Sequence, residues 1–277
     1  MKKPYMEVTR TDKHDFFKHP ISAYKEPIII TDFSNDWTAQ KLWSFDFFSN
    51  KYGDLPVKVY DDNFSKKGNL YLKHSKEMPF RQYLREIQGE NGHLRLFLFE
   101  LLKEAPELKS HIVLPDAFNA LSHLNLFMFF GGISASPPTH YDIDLPHVFH
   151  TLFSGEKSVY LFDPVDSYHL HQHPFTVRSY VDPEKPDFQR FPRFKHANGW
   201  HCTLKKGDTL FIPIGFWHKI YYTSPSFSIS HRLYESKPLI RGLYNLLILE
   251  KIDLLLNAIA PRTWLAWKAK KAGEMPT

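Results

Sequence analysis

Through the second half of the chain, hydrophobic and polar positions alternate with a period of two in short runs, each closed by Gly, Pro, Asp or Ser. Residues 124–130, 148–153, 157–162, 209–212, 218–222 and 227–234 each have strand length, and a series of short strands punctuated by turns predicts a sandwich or barrel. The pattern differs on either side. Upstream, Ile28, Ile29 and Ile30 form a β-branched run ended by Asp32, while 41–52 and 79–88 space aromatic and aliphatic residues as helices do. Downstream, Leu239, Leu243, Leu246, Leu247, Ile252, Leu254 and Leu255 recur at three- and four-residue intervals, so a helix is predicted from Pro238 to Ala260, with Pro261 as its stop. The expected organisation is mainly β: an N-terminal α/β shoulder over 1–122, a jelly-roll core over 123–236 and a C-terminal helical extension over 237–277. That last helix has more apolar surface than one small contact needs, so it either packs under the barrel or pairs with a second copy as a homodimer. Trp264, Trp267, Lys268, Lys270 and Lys271 read as a frayed basic tail, with contact to a membrane surface as the alternative.

Composition narrows the class. With 43% hydrophobic and 16% aromatic residues, the chain can bury a large core and is not disordered. Its 35 basic and 30 acidic residues give a net charge of +5 without a dense Lys/Arg block, which argues against nucleic acid as the partner. Cys202 is the single cysteine, so no intrachain disulfide or cysteine-rich zinc site can form, and any metal must be held by His, Asp or Glu. Glu7, Arg10 and Asp12 interrupt the stretch that a signal peptide would need. Arg241, Glu250, Lys251 and Asp253 likewise break the most apolar late segment, so a soluble cytoplasmic protein without a membrane span is expected.

Ten of the 16 histidines lie between His140 and His231, inside the strand-rich zone. His140 and Asp142 are two residues apart on a segment read as extended, where they share a face. A third ligand can arrive from the turn–strand–turn of 207–217, which delivers His218. Two histidines and one carboxylate leave open positions on a metal, the arrangement of non-haem Fe(II) oxygenases.

With these motifs in place, the chain resembles the Jumonji-C or cupin-like branch of the Fe(II)/2-oxoglutarate-dependent oxygenases, most closely protein hydroxylases typified by the asparaginyl hydroxylase that inhibits hypoxia-inducible factor. The likeness begins at the 27–33 strand with Trp37 and Trp43, and continues through Tyr52-Gly53-Asp54 and Phe129-Phe130-Gly131-Gly132. It then takes in Gly155-Glu156-Lys157, Leu161-Phe162-Asp163-Pro164, 178–182, and Pro186-Asp187 with Arg190-Phe191-Pro192. The resemblance implies a double-stranded β-helix with His140, Asp142 and His218 as iron ligands, 2-oxoglutarate chelating the metal at two open positions and O2 entering at the third. The implied activity is hydroxylation of an unactivated C–H bond on a protein or peptide side chain. A free amino acid or small metabolite is the alternative substrate, demethylation of an N-methyl group is a variant of the same chemistry, and a non-catalytic metal- or ligand-binding cupin is the reading from another class.

Lys157 shares a strand face with Val159 and Leu161, so it either snorkels to solvent or faces inward and needs an anion. The resemblance assigns it the distal carboxylate of 2-oxoglutarate. Where the family has Asn on two interior strands, this chain offers His150, or His147 in another alignment, and His231; by alternation His150 and His231 are both expected to face the lumen and there to bind cosubstrate, orient a metal ligand or bias the site towards another acid, with a core histidine satisfied by backbone groups as the alternative. Pro137 stands where the family commonly has Thr. His169, His171 and His173 are read as a surface loop rather than a second metal site, Tyr141 and Asp144 as flanking the entrance, Trp217 as packing and Cys202 as structural.

Overall fold

Strands form where the period-two runs predict them. In the computed structural model, which describes residues 4–61, 74–89, 92–118 and 126–275, the chain runs through β1 (Met6–Glu7), β2 (Thr9–Thr11), β3 (Ile28–Ile30), β4 (Pro56–Val59) and β5 (Lys76–Pro79). It continues through β6 (Arg95–Phe99), β7 (Leu126–Gly131), β8 (Thr139–His140), β9 (His147–Ser154) and β10 (Glu156–Phe162). The remaining strands are β11 (Arg178–Ser179), β12 (Gly199–Lys205), β13 (Thr209–Ile212), β14 (Trp217–Tyr222) and β15 (Ser226–Leu233). Two sheets, ordered β1-β12-β10-β14-β8-β11 and β2-β3-β13-β9-β15-β7-β6, build a jelly-roll sandwich. Position 124 of the first predicted strand, and the expected boundary at 122, lie outside the described residues.

The larger sheet is buried on both faces. Phe149, Phe153, Phe211, Phe227 and Ile229 point outward from it into an aromatic core shared with Trp37, Trp43 and Phe48 of the N-terminal shoulder. Helix Phe45–Tyr52 starts there because Ser44 is extended and its hydroxyl accepts from the Phe47 amide at 3.0 Å, which splits the predicted 41–52 helix from a short turn at Ala39–Leu42. Helix Phe80–Gln88 buries Phe80, Tyr83, Leu84 and Ile87 on one stripe. Inside the barrel, Val148, Leu152, Val159, Leu161, Leu210 and Ile212 pack together as an aliphatic core.

This two-sided burial corrects one expectation. On β15 the apolar set, Phe227, Ile229 and Leu233, faces the shoulder, and Ser228, Ser230 and Arg232 face the lumen. His231 therefore lies outside the barrel with its ring 5.3 Å from Trp37 and 6.2 Å from Phe118, and it does not reach the cosubstrate side. The period was read correctly and the face was inverted, because a strand lining a polar cavity puts its apolar side on the outside.

The C-terminal segment departs from the expectation in two further ways. Helix Ser236–Tyr244 runs through a π-helical turn, Asn245–Leu249, into Glu250–Ile259. Pro261 then begins a second helix, Pro261–Lys271, rather than only ending the first, because Ala260 leaves helical geometry and proline suits the first helical position. The tail is therefore docked, not frayed. Trp264 Nε1 and Lys268 Nζ both donate to Asp253 Oδ1, at 2.8 and 2.6 Å, and Phe175 packs 5.5 Å from the Trp264 ring. Beyond the helix, the Ala272 carbonyl accepts from His171 Nδ1 at 2.8 Å, and Glu274 pairs with His173 and Arg190. His171 and His173 are thus buried under the C-terminal segment, contrary to the surface-loop reading, and burial together with Arg193 pulls His171 down to about 4. His169 sits with Asp166 at 2.7 Å.

Candidate active site

The turn at 213–216 aims His218. Gly215 takes φ +73°, a conformation costly for other residues, and the chain enters β14 with His218 pointing inward. There His218 is the direct cross-strand partner of His140 on β8, and the two rings stand 4.4 Å apart. Strand β8 ends at His140, so Asp142 lies just beyond it, where its carbonyl accepts from the Leu145 amide at 3.1 Å. One ligand atom from each of His140, Asp142 and His218 falls within 4.8 Å of the others, the one such group of His, Cys, Asp or Glu among the described residues.

Local bonds prepare these groups for a cation. His140 Nδ1 donates to the Pro138 carbonyl at 2.8 Å and His218 Nδ1 to the Phe216 carbonyl at 3.1 Å, which leaves the Nε2 lone pairs free. Burial, with the charges of His218 and Arg95 adding to it, pulls His140 down to about 3, so its imidazole is neutral near pH 7. Burial would raise the Asp142 carboxyl, but Arg232, His218 and His140 outweigh it and hold it below its usual value. Arg232 donates to Asp142 Oδ1 at 3.2 Å and to Asp144 Oδ2 at 2.8 Å, and Tyr234 donates to Asp144 at 2.7 Å. This network fixes one oxygen of Asp142 and leaves the other to a metal. Asp144, expected only to flank the entrance, thus anchors Arg232.

A cavity of about 320 Å³ opens from the triad. Its barrel side is lined by His150, Ile220, Tyr222 and Ser230, and its outer side by Tyr141, Phe175 and residues of the C-terminal helices, including Leu246 and Glu250. Lys157 is wholly buried behind the lining residues His150 and Tyr222, in phase with Val159 and Leu161, and does not snorkel. Its Nζ donates to Ser228 Oγ at 2.6 Å and to His150 Nε2 at 3.2 Å, lies 4.3 Å from the Tyr222 ring centroid, and pairs with no carboxylate among the described residues. Burial holds the Lys157 ammonium far below the ordinary lysine range, and burial with the neighbouring Lys157 and His218 charges lowers His150 in turn. His150 Nδ1 bonds Ser230 at 2.8 Å, so this histidine faces the lumen as alternation predicts. His147 does not; it packs against Phe211 outside the barrel and bonds Glu235 at 2.9 Å. Trp217 is buried with Nε1 on Ser167 Oγ at 2.9 Å, and burial pushes the Cys202 thiol up to about 12.

Sequence reasoning missed Arg95, which lines the same cavity from β6. The signal was available: a lone cation inside the apolar run 94–99, like Lys157 inside its own.

The cupin-like domain family matches residues 13–235, which takes in every strand from β3 to β15 and every residue of the triad. The chain belongs to the cupin-like domain family. Among related cupin-like proteins, lysine-specific demethylase 8 of Danio rerio is 29% identical over 224 residues, 74% of this chain and 52% of that protein. The JmjC domain-containing protein D of Dictyostelium discoideum is 25% identical over 248 residues, 80% of this chain and 54% of that protein. A tRNA wybutosine-synthesizing protein 5 from Gallus gallus is 24% identical over 223 residues, 74% of this chain and 69% of that protein. This cupin-like chain spans about half the length of the demethylase and JmjC relatives.

Proposed function

We propose that the protein is an Fe(II)- and 2-oxoglutarate-dependent oxygenase that hydroxylates an unactivated C–H bond, with a protein or peptide side chain as substrate. The observation that carries this reading is a His-Asp-His cluster opening on a cavity whose inner wall, His150 and Tyr222, is backed by a buried lysine with only neutral partners among the described residues. The donor set suits a divalent iron with open positions, and the lysine suits the distal carboxylate of a dicarboxylate. His140, Asp142 and His218 would hold the metal, Lys157 the cosubstrate, and His150 with Ser228 and Ser230 the lysine. When bound, iron with 2-oxoglutarate and O2 supplies the oxidising power for the C–H bond. The chain's own residues keep the His140 imidazole unprotonated, keep Asp142 ionised through Arg232, and wall the outer side of the cavity with Tyr141, Phe175 and Leu246.

Cosubstrate binding separates this reading from a cupin that only holds metal. Under anaerobic conditions, Fe(II) followed by 2-oxoglutarate is expected to give the visible charge-transfer band of the chelate, and O2 should then yield succinate. Iron bound without a band would favour the binding-protein reading. Substrate screening after a positive result begins with peptides, including N-methylated ones. The demethylase relatives motivate the methylated peptides, and a tRNA arm follows from the wybutosine relative.

A homodimer through the C-terminal helices is part of the same proposal. Ile240, Leu243, Tyr244, Leu247, Ile248, Leu255 and Ile259 are exposed in a stripe along them, an apolar surface of the kind that partners cover. Sedimentation should give a dimer that Leu247→Asp converts to monomer; a monomeric parent would end the proposal.

A further inference from the structure

Strand β6 alternates like the others. Leu94 and Leu96 enter the shoulder core, so Arg95 and Phe97 turn to the cavity, where Arg95 is 5% exposed with its guanidinium 5.0 Å from the Phe97 ring. Across the sheet Arg95 pairs with Gly131. The Tyr222 ring packs onto that glycine so closely that a Cβ there would stand 2.6 Å from Cε1. Lys157 Nζ stands 4.3 Å from the centroid of the same ring. Lys157, Tyr222, Gly131 and Arg95 therefore follow one another, with Tyr222 and Arg95 lining the cavity and Lys157 directly behind the Tyr222 ring. Arg95 lines one cavity with Tyr222 and His150, which touch Lys157, and with His140 of the metal cluster.

We propose that Arg95 is a second anion-binding group of the cosubstrate subsite, so that the distal carboxylate of 2-oxoglutarate is read by two cations, Lys157 and Arg95, across Tyr222. The inference rests on the oxygenase reading above. The two cations differ in kind. An ammonium gives up its proton readily when buried, whereas a guanidinium stays charged and offers a planar fork to a carboxylate. Arg95 thus supplies the standing positive field that the anion enters, and Lys157 recovers its proton against the bound carboxylate. A subsite of this make-up selects strongly for a dicarboxylate over a 2-oxo acid that lacks the second carboxyl group.

The test compares 2-oxoglutarate with 2-oxobutyrate, which keeps the chelating end and has no distal carboxylate. The Fe(II)-loaded full chain is titrated anaerobically with each, following the charge-transfer absorbance, for the parent, Arg95→Gln and Arg95→Lys. Arg95→Gln should weaken 2-oxoglutarate by roughly tenfold to a hundredfold, the worth of one charge-assisted hydrogen bond, and leave 2-oxobutyrate within about twofold of the parent. Arg95→Lys should recover part of the loss. The 2-oxobutyrate band is also the check that the variant is folded and holds iron. A normal parent band with Arg95→Gln unchanged, or with both acids weakened equally, overturns the role of Arg95 alone. A parent that binds iron and shows no band with either acid overturns the oxygenase reading and this inference together.

Discussion

Asp142→Ala abolishes Fe(II) retention, with a loss of affinity well beyond the ~100-fold typical of removing an outer partner of a metal ligand, while the fold survives. Three features lead to that outcome. The carboxylate is the one anionic donor of the cluster, so its removal leaves two neutral imidazoles and an uncompensated Arg232 facing the cation site. Arg232 keeps Asp144, which still bonds Tyr234, so the local structure has a second anchor. The aliphatic side chains that fill the barrel interior pack on one another without the carboxylate, so the cost in stability is about 1 kcal/mol, or a Tm shift of roughly 2–4 °C in a domain this size. Anaerobic iron titration with a thermal melt checks both halves, and His140→Ala should behave alike. Iron retained at parental affinity in both variants would remove the triad.

Lys157→Met raises the 2-oxoglutarate Kd by about thirtyfold or more, as expected for a buried charge pair worth about 2–5 kcal/mol, and leaves the protein as stable as the parent or more so. The stability half follows from desolvation. Lys157 is fully buried among neutral partners, and a methionine of similar shape takes its place without a polar end to satisfy. The sign of the pH effect in the parent is also fixed. Burial lowers the lysine in the free site, and a bound carboxylate would raise it again, so binding takes up a proton in the window between those two positions. Affinity for 2-oxoglutarate therefore falls as pH rises through that window, and the variant loses this dependence. Calorimetry in buffers of different ionisation enthalpy measures the proton directly. No proton uptake in the parent and an unchanged Kd in the variant would place the cosubstrate elsewhere.

The strands were legible because a jelly roll is a chain of short period-two runs, and all six predicted strands form within a few residues of where the sequence put them. Which face of a strand points inward was harder to read. Val148, His150 and Leu152 on β9 face the lumen as expected, but on β15 the serines and Arg232 face it and His231 does not, because an aromatic shoulder covers the outside of the sheet. A sequence carries the period directly and carries the identity of the covering layer only through distant residues such as Trp37 and Phe118. The same limit applied to the C-terminal segment. Its lysines and tryptophans look solvent-bound in isolation, and only the fold reveals that Asp253 receives both Trp264 and Lys268. Arg95 escaped notice for a further reason: it sits between leucines that are themselves core, so its own direction was decided by theirs.

The metal donors and Lys157 come from the barrel, whereas much of the outer cavity wall comes from the C-terminal helices, through Leu246, Glu250, Leu254 and Asn257. These helices have no donor atom in the cluster. On the proposed function, chemistry and choice of substrate are thereby written in separate stretches of the gene. Substitutions over 246–257 can reshape what enters the cavity while iron binding stays intact, which makes this stretch the natural target for diversification by selection or by design.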